Sequence, residues 1–130
     1  MSKENIDIVA RYFAAVAAGD LETVGRLLAD DLVWHQPGQG SLSGTHTGKG
    51  AVFALLGGFM ERSAGSFRID HVGTLMANGD LVSASIHFAA ESGTKTMAMN
   101  GVDLLRVAGG QIAEVWLFSE DQPAEDAFWG

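Results

Sequence analysis

Several side chains in this sequence sit where their type and spacing can do chemistry. Between residues 97 and 107, strand alternation puts Met97, Met99, Gly101, Asp103, Leu105 and Val107 on one side. Asp103 is thereby a carboxyl on an apolar face. Such a group loses its hydration unless it is paired, hydrogen-bonded or protonated. A raised pKa would let it give or take a proton near neutral pH. The competing reading is a structural aspartate bonded to backbone or to Arg106. Further on, Glu114, Trp116 and Phe118 share a face, as a carboxyl with two aromatics lining a ligand cavity or as a core pair with Glu114 at its rim. In Trp34-His35-Gln36-Pro37, Trp34 and Gln36 face one way and His35 the other, with Pro37 able to twist the strand end. His35 belongs to the residue type that titrates near neutrality, so it is a candidate acid/base group. Tyr12 lies one step off the apolar stripe of a helix, and its hydroxyl seeks either a protein partner or a substrate oxygen.

Other chemistries find less support. His46 lies in a Gly/Ser/Thr-rich loop, and His71 and His87 fall in strand-like runs. His87 alternates with Ser83 and Ser85, which turns it toward solvent or a subunit interface. No two histidines stand four apart on a helix, and neither an H-E-x-x-H nor an EF-hand pattern occurs, so no metal is expected. There is no cysteine and no G-x-S-x-G, so the familiar covalent nucleophiles are missing. The glycines of residues 38–48 lack the spacing of a phosphate or dinucleotide motif, and no cofactor is expected.

The elements that must position these groups follow from periodicity. Ile6, Val9, Phe13 and Val16 recur at helical spacing, Gly19 can end that helix, and Asp20 can cap a second one carrying Leu21, Val24, Leu27 and Leu28. Asp30-Asp31 is read as its end, and Leu32 to Gln36 as a short strand. A third helix carries Val52, Leu55, Leu56, Phe59 and Met60. From about residue 66 the period becomes two. Four strands follow, separated by turns at Asn78-Gly79, Ser92-Gly93 and Gly109-Gly110. Helices segregated on an antiparallel meander make an α+β fold. The acidic tail ends in Phe128-Trp129, aromatics that fold back over a pocket, pack on a partner or fray.

The whole chain sets outer limits. With 130 residues it fits one domain, 1–130, and with 47% apolar residues it can bury a core without staples. Its 8 basic and 16 acidic residues give a net charge of −8, which repels a phosphate backbone, so nucleic acid is not an expected partner. The longest nearly apolar run, Ala51 to Met60, is too short for a bilayer, which needs about 20 residues. No signal-peptide core follows the polar start, so a cytoplasmic protein without membrane contact is expected. Mean hydropathy is +0.14, which leaves apolar surface for a pocket or an oligomer interface.

Taken in order, Arg11-Tyr12-Phe13, Ala18-Gly19-Asp20-Leu21, Leu28-Ala29-Asp30-Asp31, Trp34-His35-Gln36-Pro37, Leu42-Ser43-Gly44, Val102-Asp103-Leu104-Leu105-Arg106-Val107 and Gly110-Gln111-Ile112 resemble the nuclear transport factor 2-like superfamily. Within it the chain looks most like the SnoaL-like polyketide cyclases and the ketosteroid isomerases. The resemblance implies a cone, a curved antiparallel sheet wrapped around three N-terminal helices in the order α-α-β-α-β-β-β-β, with an apolar pocket. It also implies an oxyanion-binding pair at Tyr12 and Asp103, since the isomerases keep a carboxylic acid neutral in an apolar site so that it can donate a hydrogen bond. The isomerase base, an Asp before the Pro that ends the first strand, is Gln36 here, and glutamine cannot carry a proton at neutral pH. His35, His46 or Asp103 itself would have to act instead.

The resulting expectation is a cofactor-independent acid–base enzyme of cyclase, isomerase or dehydratase type. Its substrate would be a small apolar carbonyl compound such as a polyketide or steroid-like molecule. Asp103, Tyr12 and His35 would be catalytic; Trp34, Gln36, His46, Phe59, Met99, Glu114, Trp116 and Phe118 would shape the pocket. The alternatives are a non-catalytic binding or protein-interaction module and an epoxide hydrolase built on Asp103, Glu114 and Arg106. A homodimer joined through the outer sheet face is expected from the resemblance.

Overall fold

A computed structural model describes residues 2–130 of the chain. The first helix, α1 (Ser2–Ala18), buries Ile8, Val9, Tyr12, Phe13 and Ala15 along one stripe. Gly19 stops it in a left-handed conformation, φ 68°. Asp20 then caps α2 (Leu21–Leu27) by accepting from the Thr23 backbone N–H.

Here the structure departs from the sequence reading. The helix ends at Leu27, and the strand β1 (Leu28–Gln36) begins at once. Asp30 and Asp31 do not close a helix. They stand exposed on β1, where its register with the last strand shifts between Leu28 and Val33. A bulge of this kind bends a strand and lets two charged residues in succession face water.

A second departure is β2 (Gly44–Thr47), which lies inside the segment read as loop and pairs antiparallel with β1. After it come α3 (Lys49–Arg62) and the four strands β3 (Arg68–Asn78), β4 (Leu81–Ser92), β5 (Lys95–Ala108) and β6 (Gln111–Ser119), followed by a fourth helix, α4 (Gln122–Trp129). The six strands lie in the order β2-β1-β6-β5-β4-β3. The pair β1–β6 is parallel, so the sheet is mixed rather than wholly antiparallel. The observed order is therefore α-α-β-β-α-β-β-β-β-α, with one strand and one helix more than expected.

Further register shifts in β3 and between β5 and β6 add bends, and the sheet curves around the helices. Gly101 lets β5 lie close to β6, since a Cβ there would stand 2.7 Å from the Phe118 carbonyl oxygen. The concave side carries the core, including Leu32, Trp34, Val82, Ala84, Leu105, Ile112 and Val115, against Val9, Phe13, Val52, Leu55 and Phe59 from the helices. Among the described residues no helix is long and apolar enough to cross a membrane.

Candidate functional site

Alternation along β5 turns Met97, Met99, Asp103, Leu105 and Val107 into the core and leaves their neighbours outside. Asp103 is 4% exposed and lies between Ala84 of β4 and Leu117 of β6. Tyr12 reaches the same interior from α1 and is 3% exposed. Among the described residues neither Arg106 nor any backbone N–H bonds Asp103, which speaks against the structural-aspartate reading. No fully buried polar side-chain atom lacks a hydrogen-bond partner among the described residues. Among the described residues the oxygens of Tyr12 and Asp103 have no hydrogen-bond partner, so each borders space that a solvent-sized or ligand atom can reach.

Burial pushes the Asp103 carboxyl up to about 7, with the charge of Glu125 as a second cause. Burial also raises the Tyr12 hydroxyl, and a charged Asp103 raises it further. Near neutral pH, Asp103 can therefore hold or release a proton, while Tyr12 stays a neutral donor.

Other expected pocket residues also face inward. Trp34 and Gln36 are 4% and 6% exposed, and the indole Nε1–H donates to Gln36 Oε1 at 3.1 Å. His46 lies opposite Trp34 in the β1–β2 pair, and its Nε2–H donates to the Leu42 carbonyl at 3.0 Å. Phe59 and Met99 are buried, Met99 beside Phe88 across the β4–β5 pair.

The remaining candidates lie on the far side of the sheet. His35 points outward, where its Nε2 meets Glu114 Oε2 at 2.7 Å and its ring stacks on Trp116 at 5.4 Å. Arg106 donates to the other oxygen of Glu114 at 3.4 Å. Phe118 is 58% exposed. These four expected site residues, His35, Glu114, Trp116 and Phe118, are thus not brought together with Asp103 and Tyr12. Side chains at odd and even positions leave a strand on opposite sides, and Pro37 does not twist His35 inward. For the same reason Asp103, Glu114 and Arg106 form no common cluster for activating water. His87 follows its expected parity and pairs with Asp70 at 2.6 Å on the outer face.

One interior carboxylate escaped the sequence reading. The tail is a helix, α4, that folds back and buries Glu125, Phe128 and Trp129. Glu125 accepts from Ser119 Oγ at 2.6 Å, from Gln122 Nε2 at 3.1 Å and from Trp129 Nε1 at 3.1 Å. Trp129 packs on Phe59 at 4.8 Å and Phe67 at 5.6 Å. Arg62 donates to the Trp129 carbonyl at 2.5 Å and also bonds Ser41. Signals for this helix were present: Asp121 as cap, Pro123 in the first turn, and Glu125, Phe128 and Trp129 at spacings of three and four. Surface depressions occur on α1 around Asp7 and Arg11 and on the outer sheet face around Ser85 and Phe118, and neither includes Tyr12 or Asp103. Among the described residues no three metal-binding side chains converge.

Comparison with known proteins gives this fold relatives. Residues 9–115 match the SnoaL-like domain. An uncharacterised protein of Mycobacterium tuberculosis (strain H37Rv), Rv0034, is 30% identical over 125 residues, covering 96% of this chain and 95% of that one. A protein of unknown function with a cystatin-like fold from Xanthomonas campestris superposes with a TM-score of 0.94 at 45% identity, over 97% of this chain and 98% of that chain. A Xanthomonas campestris pv. campestris protein put forward as a polyketide cyclase superposes with a TM-score of 0.73 at 21% identity, over 99% and 98% of the two chains. At that identity the last speaks for the fold alone.

Proposed function

This chain belongs to the SnoaL-like domain family, and from that premise we propose that it is a cofactor-independent enzyme working by general acid–base catalysis. The substrate is a small apolar molecule carrying a carbonyl group, of polyketide or steroid-like kind, and the reaction is a cyclisation, isomerisation or dehydration. The observation that carries this reading is Asp103, a buried carboxyl with no hydrogen-bond partner among the described residues and a pKa raised to about 7, next to Tyr12. Of the candidate bases, Asp103 is the one that combines an interior position with a proton it can exchange near neutrality.

In this mechanism the Asp103 carboxylate takes a proton from the carbon next to the substrate carbonyl. The C–H electron pair moves into the enolate, whose oxygen accepts from Tyr12. Asp103 then returns the proton, at carbon or at a leaving oxygen, and the site ends as it began. Exchange of α-protons of cyclic ketones in heavy water, followed by NMR, tests this without knowledge of the natural substrate. The exchange rate is expected to rise with pH through about 7 as Asp103 loses its proton. Asp103→Asn should lower it by roughly 100-fold or more, and Tyr12→Phe by a comparable factor. Unchanged exchange in Asp103→Asn defeats the reading.

The glutamine at position 36 favours a second reading, a non-catalytic small-molecule-binding module of the same fold. It is distinguished by ligand binding that depends on Tyr12 without any α-proton exchange. In both readings two copies are proposed to pair through the outer sheet face, which exposes Phe118, Met76 and Val102.

A further inference from the structure

We infer that the amide of Gln36 is a fixed hydrogen-bond donor that selects substrates carrying a second acceptor oxygen, across the interior from Asp103 and Tyr12. The inference rests on the acid–base reading above and adds the class of substrate.

An indole N–H can only donate. The group that Trp34 Nε1 meets at 3.1 Å is therefore the oxygen of Gln36, and the rotation of the amide is fixed by that contact. The amide nitrogen is turned away from Trp34. Gln36 is 6% exposed, yet its two N–H bonds meet no acceptor among the described residues. Among the described residues no fully buried polar side-chain atom lacks a partner. The nitrogen thus borders reachable space, as the oxygens of Asp103 and Tyr12 do.

Sheet register relates these groups. His35 pairs with Trp116, so Gln36, one residue on, stands beside Leu117, and the other neighbour of Leu117 is Asp103. Two strand spacings, about 10 Å of backbone, separate Gln36 from Asp103. Both side chains leave the same face of the sheet and reach inward. One carbonyl oxygen accepts from Tyr12, with the Asp103 carboxyl beside the neighbouring carbon. A second oxygen on the opposite edge of the molecule accepts from Gln36.

The chemistry of the donors narrows the ligand further. An amide brings no positive charge, and the interior already holds Asp103 and Glu125. An anionic carboxylate would meet repulsion there, whereas a neutral carbonyl would not. A monoketone of the same shape would strip water from the Gln36 N–H groups and leave them unpaired. The substrate class is therefore a neutral, apolar diketone with an α C–H rather than a simple ketone or a keto acid.

The test uses the full chain and titration calorimetry with two rigid probes of one skeleton, indanone and indandione, both geminally dimethylated so that neither enolises. The wild type should bind the diketone about ten-fold more tightly than the ketone. Gln36→Glu keeps an acceptor for Trp34 but offers no N–H. Gln36→Leu removes both functions. In each variant the preference should fall to about two-fold, the statistical advantage of two carbonyls, and in Gln36→Leu ketone affinity should rise because no N–H is left unpaired. A preference that survives in both variants, or none in the wild type, overturns the inference. The acid–base reading fails separately, through ketone affinity that is unchanged in Tyr12→Phe or ketone that does not bind at all.

Discussion

In the unfolded chain the Asp103 carboxyl ionises near its ordinary 3.8, and in the folded chain only at about 7, because burial strips its hydration and Glu125 adds a second negative charge. The folded pKa is the higher one, so the folded state keeps a proton that the unfolded state has shed. Stability is then full below about pH 4, falls between about pH 4 and 7, and levels off above that. At about 1.4 kcal/mol per pKa unit the loss is on the order of 4 kcal/mol. Asp103→Asn removes the ionisable group and keeps the shape. Thermal unfolding should show this variant more stable than wild type at pH 8, with the gap closing near pH 4. A variant less stable at both pH values would mean that the carboxylate is held by its surroundings after all. The same substitution that ends proton exchange is thus expected to strengthen the fold, the trade that a strained site makes.

At the scale of elements, α4 supplies what the strands do not. Glu125 satisfies three donors, from Ser119, Gln122 and Trp129, and its charge helps to hold the Asp103 carboxyl up. Glu125→Ala leaves those donors without an acceptor, at a cost of roughly 1–3 kcal/mol. Glu125→Gln keeps one acceptor oxygen and removes the charge, so the pH midpoint of α-proton exchange should move to lower pH. A midpoint that stays or rises would detach α4 from the site. What could be read of these elements in the chain follows from how far each signal reaches. The period-two alternation of β5 gave the inward side of Asp103 correctly, because Met97, Met99, Leu105 and Val107 on that side are all buried. The outward side of His35 was equally legible from parity, and Pro37 does not override it. The start of β1 was not, because two adjacent aspartates look like a helix end and sit on a bulge instead. Nor was β2, whose Gly-Thr-His-Thr has no apolar face and depends on β1 for its existence. The tail misled because its acidic residues suggest solvation, while only tertiary contacts with Phe59, Phe67 and Arg62 turn them into a covering helix.

At the scale of the whole molecule, the curved sheet divides the chemistry into two faces. The inner face is apolar around a few polar ends. The outer one mixes exposed Phe118, Met76 and Val102 with the pairs His35–Glu114 and His87–Asp70. With both charge signs and an apolar centre, that face can match a second copy of itself across a two-fold axis. Light scattering coupled to size exclusion should report a dimer, and Phe118→Asp should yield monomers whose thermal stability is otherwise retained. A wild-type monomer at micromolar concentration would remove the pairing. The parallel pair β1–β6 has a consequence in time as well as space. Residues 28–36 are made early, yet their main sheet neighbour is residues 111–119. Contacts between such distant segments slow folding, since a long loop must close before they reward it. On the ribosome, Leu28, Leu32 and Trp34 therefore wait for nearly all the rest of the domain to be synthesised, and in that interval the nascent chain is a natural client for chaperones.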